Sequence, residues 1–525
     1  MHKIIQTWQQ LSFKQSLYFT VIVSLLLSLA ELCSSRPIDP DSITFINTAH
    51  IFWQSGWHTA VKVYPWPFFP IVCVSLSHFT MLPLVAAFHL FNTLAQALLC
   101  LSFVVLSKLL GATQRTQKIA ALVILLFPFL NSIRVYATRE SGYWAFALLA
   151  VCFLIRFMQR RQLKHAFYFG LSMGVAFLFR VEGLLMLIAA PMAIFAMPHH
   201  RLAFKWRLWC RANLVFISVL FLLFIYHVIH TQLNQSPNPT SRLDEYQQQL
   251  MQLLPHLSQQ LRADAALIAQ AILNADSAPT QNLLLISGLV GLCLYITVSV
   301  MHPIIALLAV YGQSQKLISN HSGQATLLYW LLLVNLVMLL LFTFERYFLA
   351  PRYPAFLALL WLSWVPFALN RLYEHYQTKN PSITGRHWFF PTLLFMLILI
   401  ALGGIIRFGY SKAYVQQAGQ WLHQNTAVNA KFYSNSKEVN FYEAANNEDV
   451  QRLNGQDQKD LHSTLQTPCV YDWIAIRLNQ NDQALKRDTV IQAFLQHYHP
   501  HIVFHNKRQD AVLIYNMQTI CAKRR

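Results

Sequence analysis

The sequence predicts a polytopic α-helical membrane protein with a small α/β domain at its carboxyl end. Three observations lead there. Apolar runs of about 20 residues, the length a helix needs to cross the hydrocarbon core, recur along most of the chain. Hydrophobic residues make up 55% of the sequence and charged ones 12%, against roughly 25% charged in a soluble domain. Beyond Arg407 the composition turns to that of a soluble domain.

Apolar runs fall near residues 17–35, 81–107, 119–133, 142–157, 166–180, 183–198, 213–230, 283–310, 325–344, 353–370 and 388–407, which makes about eleven spans. Lys3 and Lys14 precede a first run too long for a cleaved signal, with no small-residue cleavage site after it, so this run is expected to stay as an anchor. Alternate loops hold the basic residues: Arg115 and Lys118; Arg156, Arg160, Arg161 and Lys164; Arg201, Lys205, Arg207 and Arg211; Lys316; Arg371, Lys379 and Arg386. The positive-inside rule makes these loops and the amino terminus cytoplasmic and puts the tail outside. The net charge of +19 is thereby spent on orientation. No nucleic-acid partner is implied.

The outer face differs. It holds Asp39 and Asp41, Arg139-Glu140, Arg180 and Glu182, Glu345-Arg346, and Arg352. An ionisable group at a span centre costs about 2.5–3.5 kcal/mol and less towards the ends, so such groups usually have a partner and a task. One reading is a set of structural ion pairs tying helix ends. The other is a reaction site, and five clusters on one face favour it. Around Asp41 the chain supplies Phe45, Phe52, Trp53 and Trp57, then Tyr64-Pro-Trp-Pro-Phe-Phe-Pro70, rings and prolines able to shield an acid from water.

Ser241–Ala275 is polar with leucines at helical spacing, as a surface lid or a packing helix would be. Residues 1–410 thus form the membrane domain and 411–525 an outer α/β domain. In the latter, helices are expected at Ala413–Asn425 and Asp488–His497, and strands at Lys431–Ser434, Asp472–Arg477, His501–His505 and Ala511–Tyr515. Its clustered histidines, His497, His499, His501 and His505, fit a solvated strand and turn better than a metal site. Eight cysteines are scattered. Cys469 and Cys521 share the outer domain and are expected to pair. There is no Walker loop, dinucleotide fingerprint or internal repeat.

These residues resemble the GT-C membrane glycosyltransferases that use polyprenyl-phosphate sugars, the group of protein O-mannosyltransferases and the lipid A aminoarabinose transferase. There, an acid in the first outer loop opens a D-[E/S]-x-x-[Y/F] pattern that continues to a glycine. Asp41-Ser42-Ile43-Thr44-Phe45 leads likewise through Ala49 to Gly56, and Tyr64-Pro65-Trp66-Pro67 is similar to the family's re-entry. Arg139-Glu140-Ser141, Arg180-Val181-Glu182-Gly183 and Arg352-Tyr353-Pro354 resemble its later outer turns, the last with an early proline. The likeness covers roughly residues 15–410. Ser42 stands where a second acid is common, and Phe45 where tyrosine is commoner.

The resemblance implies a bacterial inner-membrane enzyme with a periplasmic domain. It would move a hexosyl or pentosyl group from a lipid-phosphate carrier to a lipid, glycan or protein acceptor, with inversion. Asp41 suits the base, and Glu140 is the next candidate. Arg352 and Arg346 suit the leaving phosphate, and Arg139, Arg180, Glu182 and Tyr353 join them as substrate-binding candidates. Asp39 and Glu140 are also candidates to hold the acceptor or a divalent cation, for which carboxylate ligands suit Mg²⁺ or Mn²⁺. A transporter or flippase of lipid-linked sugars is the rival. Transporters usually show paired halves or broken helices near the midplane. Polar groups gathered at one face favour the enzyme.

Overall fold

A backbone within hydrocarbon must satisfy its own hydrogen bonds, so the apolar runs fold as helices. The structure, a computed structural model, describes residues 12–32, 38–134, 136–197, 201–214, 218, 257–270, 279–320, 323–378, 388–406, 412–427, 430–444, 461–479, 482, 485 and 487–522. Among them six helices are long and apolar enough to cross a membrane: Phe13–Glu31, Leu84–Leu109, Arg139–Arg160, Gln281–Met301, Gln324–Arg346 and Ala355–Gln377. Phe68–Thr80, Leu163–Phe179, Glu182–Ala196, Pro303–Ser314 and Phe389–Ile405 are shorter apolar helices. Nearly all of the expected span 213–230 lies outside the described residues.

Two expected elements differ. The run 283–310 is two helices, parted at His302, whose φ is 69°. Pro303 excludes the helical conformation from the residue before it and then serves as the first residue of the next helix. The stretch following Asp39 is no open loop but the helix Pro40–Val63, kinked at Gly56 (φ 78°). Pro40 reads as a breaker in sequence, yet at the first helical position its missing N–H costs nothing.

The chain forms two compact units. One comprises residues 1–25, 95–132 and 140–405. Its core runs along Arg139–Arg160, where Ala145, Ala147, Leu148, Ala150, Val151, Leu154 and Ile155 are fully buried. Small residues at this spacing let neighbouring helices approach closely. Glu140 lies in its first turn and Arg160 in its last, the signs that the helix dipole favours. Helix 257–270 belongs to this unit and packs Leu261, Ala265 and Ile268 against Leu285, Leu289, Phe344 and Tyr347.

The other unit comprises residues 26–94, 133–139 and 406–525. Phe45 packs edge-on against Tyr64 and Phe69, each 5.2 Å away, and Phe69 meets Phe88 at 5.2 Å. Phe45 is thus a packing hub between Pro40–Val63 and Phe68–Thr80. The carboxyl-terminal part holds β1 (Phe432–Ser434), β2 (Trp473–Leu478), β3 (Ile502–His505) and β4 (Ala511–Asn516), ordered β1-β2-β4-β3 with only β1 and β2 parallel. These lie within a residue or so of the expected strands. Alternate side chains leave opposite faces of a strand. Ala475, Val512 and Ile514 accordingly pack on Ala413–Asn425, while Ile474, Ile476 and Tyr515 pack on Leu461–Gln466 and Thr489–His497.

Arg477 of β2 reaches Glu438 at 2.7 Å in this domain. Burial pushes the Glu438 carboxyl up, but the adjacent guanidinium, together with hydrogen bonds from the backbone, Arg477 and Ser436, holds the group below its ordinary value. Cys469 and Cys521 are bonded, with Cα atoms 6.0 Å apart and 52 positions between them in sequence. Closing a loop of that size removes about 4 kcal/mol of unfolded-chain entropy. Cys521→Ser should therefore lower the urea midpoint of this domain in the full-length protein, followed by pulse proteolysis. An unchanged midpoint would show the bond to be dispensable.

Candidate active site

Within the first unit, four elements bring five of the expected residues together. The turn between Leu163–Phe179 and Glu182–Ala189 is closed by Gly183 N–H donating to the Arg180 carbonyl at 2.9 Å. Gly183 is required there, because a Cβ would lie 2.4 Å from the Phe177 nitrogen. Gly142 does the same for the neighbouring helix, where a Cβ would come within 2.9 Å of the Phe179 ring. Two glycines thus let the Arg180 turn close on the first turn of Arg139–Arg160. Arg180 lies there beside Glu140.

The guanidinium of Arg180 is buried, and each of its nitrogens donates. Its Nη1 donates to Glu140 Oε1 at 2.6 Å, its Nε to both Glu182 oxygens at 3.1 Å, and its Nη2 to Glu182 Oε1. Such forked, charge-assisted bonds are what a guanidinium makes and an ammonium cannot. Arg352 approaches the same carboxylate, with Nε 3.9 Å from Glu140 Oε1. It differs from Arg180 in being 36% exposed. The Tyr353 ring lies 5.0 Å from the Arg180 guanidinium and 5.6 Å from that of Arg352, within cation–π range. Phe342 supports that ring at 4.6 Å. Two acids and two guanidinium groups balance in formal charge.

Arg346 is not in this group. It ends the helix Gln324–Arg346, is well exposed, and has Nε 3.4 Å from the neighbouring Glu345.

In the second unit, Asp39 caps Pro40–Val63. Its Oδ1 accepts from Ser42 N–H at 2.9 Å and its Oδ2 from Ser42 Oγ at 2.6 Å. Asp39 is thus the cap and Asp41 sits in the first helical turn, half-buried. Ser42 is buried, and its Oγ is also 3.2 Å from the Ala137 carbonyl oxygen. An acid here would face the Asp39 carboxylate and a carbonyl oxygen, which explains the serine. Arg139 lies over Tyr64, 5.6 Å from its ring.

No three His, Cys, Asp or Glu side chains gather among the described residues. Glu140 and Glu182 share one guanidinium and Asp39 is committed to its cap, so this donor set does not fit a resident cation.

Two buried groups escaped sequence reasoning. Tyr143 lies one turn after Glu140, fully buried and in electrostatic contact with Glu182 and Arg180; the i, i+3 spacing was its signal. Arg134, in the second unit, donates to Ser28 Oγ at 3.0 Å, and its carbonyl accepts from Asn92 at 2.6 Å. A lone basic residue on the outer side was its signal.

Solved structures similar to the chain include an archaeal oligosaccharyltransferase, AglB from Archaeoglobus fulgidus, in complex with an inhibitory peptide and a dolichol-phosphate. It is 11% identical, with a TM-score of 0.45, over 79% of this chain and 58% of that one. The apo form of the Archaeoglobus fulgidus oligosaccharyltransferase is 12% identical with a TM-score of 0.43, over 79% and 58%. The same enzyme tethered to an acceptor peptide containing the NVT sequon is 12% identical with a TM-score of 0.45, over 79% and 57%. The chain thus spans under three fifths of these proteins. No protein-family model matches it, and no curated protein matches it in sequence.

Proposed function

We propose that the chain is a membrane glycosyltransferase that moves a sugar from a polyprenyl-phosphate carrier to an acceptor at the outer face. The observation that carries this is the cluster around Arg352, whose side chain is 36% exposed and stands beside Glu140 and over Tyr353 while Arg180 pairs with Glu140 and Glu182. An arginine in such a cluster suits a dianionic phosphate, which a guanidinium can fork. The role of Glu140 is then to anchor that arginine. Asp41, half-buried in the first turn of Pro40–Val63, is assigned the base. Its carboxylate takes the proton of an acceptor hydroxyl or amine, whose lone pair attacks the anomeric carbon. The bond from that carbon to the phosphate oxygen breaks, and the electron pair leaves with the polyprenyl phosphate. No step is routed through a cation.

Arg352→Lys should stay impaired, because a point charge cannot fork. Losing one bond to a charged group, worth about 1.5–3 kcal/mol, corresponds to roughly ten- to a hundredfold in turnover. Sugar transfer by the purified variant checks it. Full activity with lysine would reduce Arg352 to a general positive charge.

The disulfide supports an oxidising compartment for the carboxyl-terminal domain, as the basic loops do from the other side. Single cysteines at Gln162 and Lys507, both exposed, in a background lacking the unpaired thiols, should be shielded from and open to an impermeant thiol reagent applied outside, respectively. The reverse pattern would invert the topology and remove the outer-face assignment.

A further inference from the structure

We infer that the carboxyl-terminal domain positions the helix that carries Asp41, through Tyr442. The start of that helix is set by three devices. Two are local: Pro40 at the first helical position, and the Asp39 cap on Ser42. The third comes from 404 positions away in sequence: the backbone N–H of Ile38 donates to the Tyr442 hydroxyl at 2.8 Å. Ile38 immediately precedes the cap, and no intrahelical acceptor is available to an N–H at that place. A partly buried N–H left without a partner is costly, so the tyrosine holds the strand of chain that enters the helix.

The domain is built to deliver this hydroxyl. Tyr442 lies in Lys437–Glu443, which packs against Pro40–Val63 within the same unit. On its other side Lys437–Glu443 packs on Ala413–Asn425 at Gly419. A Cβ on Gly419 would lie 2.5 Å from Tyr442 Cβ and 2.8 Å from the Val439 carbonyl oxygen, so any side chain there would displace the tyrosine. Phe441, buried beside it, meets its ring edge-on at 5.4 Å. Asp41 lies three residues beyond the held N–H. A shift at Ile38 therefore passes directly into the first helical turn.

Tyr442 is a positioning residue and rests on the reading of Asp41 as base. Its test uses the full-length protein. Tyr442→Phe removes one hydroxyl and leaves the ring packing, so the Cys469–Cys521 bond should form normally. Turnover should fall about five- to tenfold, the scale of one intramolecular hydrogen bond, with donor KM unchanged and amide exchange raised in the peptide spanning 38–45. Gly419→Ala should give the same pair of changes by moving the tyrosine. Unchanged exchange, or raised exchange with normal turnover, would overturn the inference. Asp41→Asn measured alongside separates the two claims. If it keeps its turnover the base lies elsewhere, and a Tyr442→Phe protein with raised exchange and lowered turnover still supports the brace.

Discussion

Asp41→Asn should insert, fold and bind a polyprenyl-phosphate sugar, and yet transfer it at least about 10²-fold more slowly, the lower end of what a positioned general base contributes. Asparagine keeps the size and polarity of the side chain, and helix Pro40–Val63 keeps its cap, which is Asp39. The loss therefore isolates proton transfer from folding. Asp39→Ala makes the opposite control. It removes both bonds to Ser42 at the start of the helix, and replacing a capping residue by alanine costs about 0.5–2 kcal/mol, so its defect should appear in stability first. Donor binding recorded with transfer for each purified variant distinguishes the two. Near-normal transfer by Asp41→Asn would move the base elsewhere.

Arg180→Met should cost about 3–5 kcal/mol of stability, the range for breaking a buried pair by removing one partner. Arg180 and Glu140 are both nearly inaccessible, and Glu182 faces the same guanidinium. Without it the nearly inaccessible Glu140 keeps only Arg352, at 3.9 Å, and Glu182 loses its guanidinium. The control follows from the same physics. Adding Glu140→Gln and Glu182→Gln to Arg180→Met removes the stranded charges and should recover most of the loss. Thermal unfolding in detergent gives the comparison. A single variant as stable as the parent would mean that water or another cation reaches the pair.

The charge cluster was legible in the sequence because charged residues at the ends of apolar runs are expensive unless they meet. Glu140, Arg180, Glu182, Arg352 and Tyr353 do meet. Arg346 stands apart from them, because the same composition at a helix end also describes an exposed pair with Glu345. The strands of the carboxyl-terminal domain were legible from alternation, and the disulfide from the compartment its cysteines share. The helix Pro40–Val63 was not, since prolines, glycine and aromatics blur its period and a proline at the first helical position looks like a break. The parting at His302 was hidden inside continuous hydrophobicity. Nothing local in the sequence could reveal Tyr442, whose partner is set by tertiary packing alone.

The central claim is that this chain breaks the bond between a sugar and its lipid phosphate. The direct measurement is to reconstitute the purified protein in vesicles with a radiolabelled polyprenyl-phosphate sugar and an extract of envelope acceptors. Free polyprenyl phosphate and labelled acceptor are then counted by mass spectrometry and scintillation. The account predicts that both appear together in equal amounts, at a rate that falls at least about 10²-fold with Asp41→Asn. Movement of the intact donor from one leaflet to the other with no polyprenyl phosphate released would contradict it and make the chain a carrier.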